Sequence, residues 1–282
     1  RAYPSDYLYG NGLSAVIAYQ QFGSKVATFD SNGGLTPFVV NYAMRQYAVP
    51  ESIRSIALHK QWPVKVNGYV PSRRIAWTNY MTRDFALGSQ TGYYCGQEMP
   101  VYLAFRSPRK RRSLFFKSDP PVPVLSSKQD ANVVLGGLRF PADFDWPRWL
   151  KDAKGPATIC LHLGETKALR GRIVSRGKPG QAGVPLDSSR VVALDVGSVF
   201  VGIKAFVVGR AGEEKGVALE RRGGEWLIVW RTGGRPGRAG APRAAGFLIV
   251  VGDKRDGGLK EFARQMEGFC ITIRPRRNGA AL

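Results

Sequence analysis

The chain has 282 residues, of which 44% are hydrophobic and 11% aromatic, a globular composition that excludes wholesale disorder. Its 42 Lys and Arg against 21 Asp and Glu give a formal net charge of +21, which favours a polyanionic partner such as an acidic polysaccharide, nucleic acid or an anionic membrane surface. No apolar run approaches the roughly 20 residues of a membrane-spanning helix, so no membrane insertion is expected. The 3 cysteines and 2 histidines lack metal-binding spacing, and neither a metal site nor a cofactor is expected.

The first segment with clear periodicity, residues 35–61, is predicted to form two helices. Apolar residues recur there at three- and four-residue steps, and Pro37 suits the first turn of a helix. Pro50 ends that helix and can begin the next one. We therefore expect helices at 35–48 and 50–61, joined as an αα-hairpin.

Beyond Gln61 the pattern changes to segments of strand length that alternate or run apolar, separated by Gly, Pro and Ser. Turn signals recur about every ten residues, as in an antiparallel sandwich. Two helical patches interrupt this pattern, at 144–153 and 257–268. The second places Leu259, Phe262, Ala263 and Met266 on one face, which should pack on a sheet.

These elements predict an α+β, mainly β chain. A helical segment at 1–65, formed by the short αα-hairpin, should be followed by a large antiparallel β-sandwich at 66–282. The proline-rich connection at 118–127 is the expected internal boundary or crossing between sheet edges.

Three stretches resemble the C-terminal part of (α/α)-toroid polysaccharide-active proteins, the group that includes the heparinase II/III-like lyases. FVVNYAMRQYAVPESIRSIALHK is similar to one hairpin of the toroid, and RRIAWTNYMTRDFALGSQTGYYCGQ to the crossing from toroid to sheet. SVFVGIKAFVV, EWLIVW and GGLKEFARQM resemble the late sandwich strands and their covering helix. The resemblance implies a carbohydrate-active, lyase-like protein acting on an acidic polysaccharide, with a secreted or periplasmic location. A toroid has many more helices, so it also implies that the chain is the later part of a longer polypeptide.

The densest cluster of polar and aromatic residues lies around TNYMTRDFALGS at 78–89. β-Elimination from a uronate needs a donor that neutralises the carboxylate, a base that removes the adjacent proton and an acid that protonates the leaving oxygen. The candidates for acid–base work are Tyr80, Asp84, His59 and Tyr94. The candidates for substrate binding are Arg73, Arg74, Asn79, Arg83 and Glu98.

Side chains alternate across a strand, so Tyr80 and Asp84 should share one face and Asn79 and Arg83 the other. We expect the face with Tyr80 and Asp84 to line a groove. The residues expected to reach it are Tyr94, an arginine of the Arg73–Arg74 pair and His59.

Other functions stay open on the sequence alone. The stretch SPRKRRSLFFK at 107–117 combines a basic cluster with two phenylalanines, and it can grip the phosphate or sulfate of a nucleic acid or glycan. The basic cluster is Arg109, Lys110, Arg111 and Arg112. Asp84 and Glu98 are the nearest carboxylate pair for a glycoside hydrolase. A non-catalytic structural sandwich is the third alternative, because tyrosines in strands commonly lie at the edge of a core.

Overall fold

The structure of the chain is a computed structural model. It describes residues 61–71, 75–91, 101–105, 112–119, 124–139, 158–165, 172–175, 178–179, 182–208, 216–231 and 244–272, with Glu51, Ser52, Ser55, His59, Lys167 and Leu169. The chain divides into two units, Arg1–Val64 and Lys65–Leu282. In the first unit the described residues Glu51, Ser52, Ser55 and His59 are helical, within the second expected helix. The helix expected at 35–48 lies outside the described residues.

The second unit consists mainly of antiparallel strands. Their bounds in the first half are β1 Val64–Val70, β2 Ile75–Met81, β3 Phe85–Thr91, β4 Val101–Phe105, β5 Arg112–Asp119, β6 Val124–Asp130, β7 Val133–Arg139 and β8 Thr158–Glu165. Those in the second half are β9 Ile173–Ser175, β10 Lys178–Pro179, β11 Val184–Pro185, β12 Val191–Val196, β13 Val199–Val208, β14 Val217–Arg222, β15 Glu225–Arg231 and β16 Ala244–Asp253. A single 3-10 turn at Lys254–Asp256 leads into the helix α1, Leu259–Glu267.

The strands form two sheets. The large sheet has nine strands in the order β1-β2-β3-β4-β5-β8-β15-β14-β11, and the small sheet has seven in the order β10-β9-β12-β13-β16-β7-β6. Every pairing whose register is described is antiparallel. The mainly β prediction is therefore confirmed. β5 and β6 belong to different sheets, so the proline-rich connection between them crosses from one sheet to the other.

The main core lies between the two sheets. Alternate residues of both sheets point into it, including Leu87 and Leu103 from the large sheet and Leu194 and Phe247 from the small sheet. Trp230 and Phe247 are fully buried, with ring centroids 6.5 Å apart. This arrangement is a β-sandwich, and the burial of its inner faces is the main source of its stability.

A second core lies on the other side of the small sheet, under α1. Phe262, Ala263 and Met266 of the helix pack against Phe200 and Leu248. The central strands of the small sheet are thus buried on both faces, which is why β13 and β16 read as continuous apolar runs. The predicted helix and its apolar face are confirmed.

Lys204 fastens the end of α1 to the small sheet. Its side chain is buried, and its ammonium group donates to the carbonyl oxygens of Glu267 and Phe269. A positive charge is favourable at a helix C-terminus, where the carbonyl groups lack partners within the helix.

Polar contacts join the two sheets where β3 faces β6. The Thr91 hydroxyl donates to the Ser127 carbonyl at 2.7 Å and accepts from the Ser127 amide at 3.0 Å. The Gln129 side-chain amide donates to the Leu87 carbonyl at 3.0 Å. These bonds fix β3 against the small sheet and so fix the orientation of its outward-facing residues.

No helix among the described residues is long and apolar enough to span a membrane. The helical patch expected at 144–153 lies outside the described residues.

The burial pattern predicts a large difference between two chemically identical truncations. Leu194 is fully buried in the sandwich core, whereas Leu135 on β7 is 46% exposed. Leu194→Ala should lower the free energy of unfolding by about 2–5 kcal/mol, and Leu135→Ala by less than about 1 kcal/mol. Urea unfolding of both variants measures this difference, and equal losses would contradict the assigned core.

Candidate functional site

The outward face of the large sheet carries a row of polar and aromatic side chains across five strands. Cross-strand pairing runs from Asn79 to Gly88, then to Tyr102, Phe115 and His162. Paired residues in an antiparallel sheet point to the same side, and these alternate with the buried core leucines. We call these five residues the outer row. At about 4.8 Å between strands, the row is roughly 19 Å long.

His162 is held in a defined orientation. Its Nδ1 lies 2.9 Å from Oε2 of Glu225, and its ring stacks on Phe115 with centroids 4.7 Å apart and planes 6° apart. A carboxylate oxygen accepts hydrogen bonds, so a neutral His162 carries its proton on Nδ1. The lone pair is then on Nε2, which makes that nitrogen the proton acceptor.

A bulge in β8 brings Glu225 to His162. Leu227 pairs with His162, whereas Trp226 pairs with Gly164, so Leu163 has no partner in β15. Gly164 has φ of 125°, a conformation that other residues rarely adopt. The extra residue keeps both His162 and Glu225 on the outward face, and bulges commonly re-aim side chains beside functional sites in this way.

The opposite end of the outer row presents amide groups. Asn79 lies over Gly88, where an added Cβ would come within 2.5 Å of the Asn79 Oδ1 atom. Gln90 pairs with Trp77 on the same face and is 6% exposed. Its Nε2 atom has no hydrogen-bond partner among the residues that the structure describes. A buried amide donor without a partner is costly, so this atom lowers the stability of the sheet rather than presenting a donor at its surface.

Tyr80 lies on the opposite side of the large sheet from Asn79. It pairs with Leu87, which is fully buried in the core, and its ring centroid is 6.0 Å from that of Phe85. The expected alternation of Tyr80 and Asn79 is therefore present, but Tyr80 is on the core side. The outward side belongs to Asn79.

Asp84 and Arg83 lie in a turn between β2 and β3 rather than in one continuous strand. The Thr82 hydroxyl accepts from the backbone amides of Asp84 and Phe85, both at 3.1 Å, which stabilises this turn. The Asp84 carbonyl accepts from the Ser198 hydroxyl at 3.0 Å. The hydrogen bond and charge of Asp253, and more weakly the charge of Asp84, raise the pKa of Arg255 above its usual value. The turn thus places Asp84 at the end of the sandwich, beside small-sheet residues, and away from the outer row.

The remaining sequence candidates are not brought to this face by any described contact. His59 is helical and exposed, and it belongs to the first unit. Arg112 begins β5, but its side chain is not described. The candidates that lie outside the described residues are Arg73, Arg74, Tyr94, Glu98, Arg109, Lys110 and Arg111.

Sequence reasoning missed Tyr102, His162 and Glu225, and it placed Phe115 with the basic cluster at 109–112 rather than beside a histidine. Two signals could have pointed to them. His162 is one of only two histidines in the chain, and Gly164 inside a strand pattern indicates a bulge. Within the described part of the chain, no group of three or more His, Cys, Asp or Glu side chains is arranged to hold a metal ion.

Comparison with known proteins identifies no relative. No family model, no curated protein and no solved structure matches the chain.

The contact between His162 and Glu225 predicts a tautomer. In protein labelled with 15N histidine, at a pH where the ring is neutral, His162 should carry its proton on Nδ1. Glu225→Ala should remove this preference, because the acceptor is lost. His59→Gln assigns the spectrum, since it removes the other histidine's signals. A proton on Nε2 in the unmodified protein would contradict the assigned geometry.

Proposed function

We propose that this protein acts on an acidic polysaccharide by β-elimination, with the outer row as its substrate site. The observation that carries the proposal is the sequence of groups in the row: an amide at Asn79, aromatic rings at Tyr102 and Phe115, and an oriented imidazole at His162. The formal net charge of +21 supports a polyanionic substrate.

The dimensions of the row suit an extended ligand. A span of roughly 19 Å is too long for one sugar to reach both ends, so Asn79 and His162 serve different sugars of one chain. The Asn79 amide is a donor for hydroxyl or carboxylate oxygens. Aromatic side chains provide the apolar contact that commonly accompanies a few placed polar groups in a binding site.

Proton transfer is assigned to the other end of the row. Nε2 of His162 accepts the proton from the carbon next to the uronate carboxylate, and the electrons of that C–H bond form the new double bond. The glycosidic C–O bond breaks, and the Tyr102 hydroxyl gives its proton to the leaving oxygen. Tyr102 and His162 lie on either side of Phe115, roughly 10 Å apart along the sheet, so both side chains can reach one sugar above Phe115.

Tyr80 on β2 and Tyr102 on β4 lie on opposite faces of the large sheet and provide a matched test. Tyr102→Phe should lower kcat for alginate or heparin by about 10²- to 10⁴-fold, because it removes the proposed acid. Tyr80→Phe removes the same hydroxyl from the core side and should leave kcat nearly unchanged. The measurement is the rise in ultraviolet absorbance from the unsaturated uronate product.

The histidines supply the control. His162→Gln should abolish the rise in ultraviolet absorbance, whereas His59→Gln, in the first unit, should preserve it. Equal loss in the two tyrosine variants would contradict the assignment of the outer row. Absence of unsaturated product from both polymers with the intact protein would contradict β-elimination.

A further inference from the structure

We propose that Arg222 and Arg231, clamped by Glu220, form a subsite for a carboxylate or sulfate group of the polysaccharide, next to His162. This inference rests on the proposed function and supplies the positive charge that the outer row itself lacks.

The three side chains form a fixed cluster on β14 and β15. Oε2 of Glu220 accepts from Nε of Arg222 at 2.8 Å and lies 2.8 Å from its Nη2, and Oε1 accepts from Nη2 of Arg231. The Glu220 side chain is only 15% exposed, whereas those of Arg222 and Arg231 are 48% and 44% exposed. A shielded carboxylate therefore orients two accessible guanidinium groups.

The cluster lies on the same face as the outer row. Glu220 pairs with Leu227, which pairs with His162, so the row continues from His162 towards Glu220. Arg222 pairs with Glu225, the residue that holds His162. Arg231 lies at the other end of β15, opposite Thr158. A substrate that reaches His162 thus comes within two strands of this cluster.

The cluster retains capacity for an anion. The two arginines share the single carboxylate of Glu220. Glu220 engages Nε and Nη2 of Arg222 and Nη2 of Arg231, so Nη1 of each guanidinium lies outside this contact. The guanidinium fork matches the geometry of carboxylate and sulfate oxygens. Because Glu225 lies opposite Arg222 and offsets its charge, Arg231 should contribute more to anion binding.

The test compares charge-removing variants by calorimetric titration at about 0.15 M salt. The probes are an alginate oligosaccharide, a heparin oligosaccharide, a neutral oligosaccharide of equal length and a single-stranded oligonucleotide of equal charge. Arg231→Gln should weaken binding of both acidic oligosaccharides roughly five- to tenfold and Arg222→Gln by less, as expected for charge-assisted hydrogen bonds at a partly exposed site. The slope of log affinity against log salt concentration should become shallower by about one for Arg231→Gln, because one fewer counterion is released on binding.

Arg264→Gln is the matched control, because Arg264 is also an exposed arginine paired with a glutamate, Glu261, but lies on α1 over the small sheet. The Arg264→Gln variant should bind each probe with the same affinity as the unmodified protein, and unfolding curves establish that all variants are folded.

If Asn79→Ala weakens binding of the acidic oligosaccharides while Arg231→Gln does not, the subsite is wrong and the proposed function stands. If neither acidic oligosaccharide binds the unmodified protein, or if the oligonucleotide binds more tightly than both, the proposed function fails and the subsite fails with it.

Discussion

The pairing register of the large sheet is the constraint on which the other features depend. Because side chains alternate across each strand, one register decides which residues enter the core and which form the outer row. With Tyr80 opposite Leu87, Asn79 opposite Gly88 and Phe115 opposite His162, the leucines at 87, 103, 114 and 161 face the small sheet. A slip of one residue would expose those apolar residues and bury His162. The free energy of burying the core therefore also holds the site together.

A bulge and a glycine, two local departures from regular strand structure, adjust the positions of the outer-row side chains. The bulge at Leu163 and Gly164 keeps Glu225 on the side of His162, and the absence of a side chain at Gly88 leaves room for Asn79. The bonds between β3 and β6 restrain the strand that carries Gly88 and Gln90. Since these groups are on paired strands rather than on loops, they are pre-organised, and a substrate would bind with little loss of conformational entropy.

Much of the fold could be predicted because its signals are local. Apolar alternation and turn residues located β1, β2, β5, β7, β8 and β12 to β16, but not β6 or the short strands β9 to β11. The spacing of Phe262, Ala263 and Met266 identified α1 and its buried face. The site could be predicted only in part. Alternation correctly placed Asn79 and Tyr80 on opposite faces of the sheet. It did not show which face meets the core, since that depends on packing against the small sheet. Tyr102, His162 and Glu225 come from strands 23, 83 and 146 residues after Asn79, and pairing across such separations leaves no local signal.

A structure of the protein with an alginate or heparin oligosaccharide tests the central claim most directly. We expect the ligand to lie along the outer row, with a sugar carbon facing Nε2 of His162, an oxygen within about 3.2 Å of the Asn79 amide nitrogen and an acidic group at Arg231. Binding on the face covered by α1, or at any surface that leaves the outer row free, would contradict it.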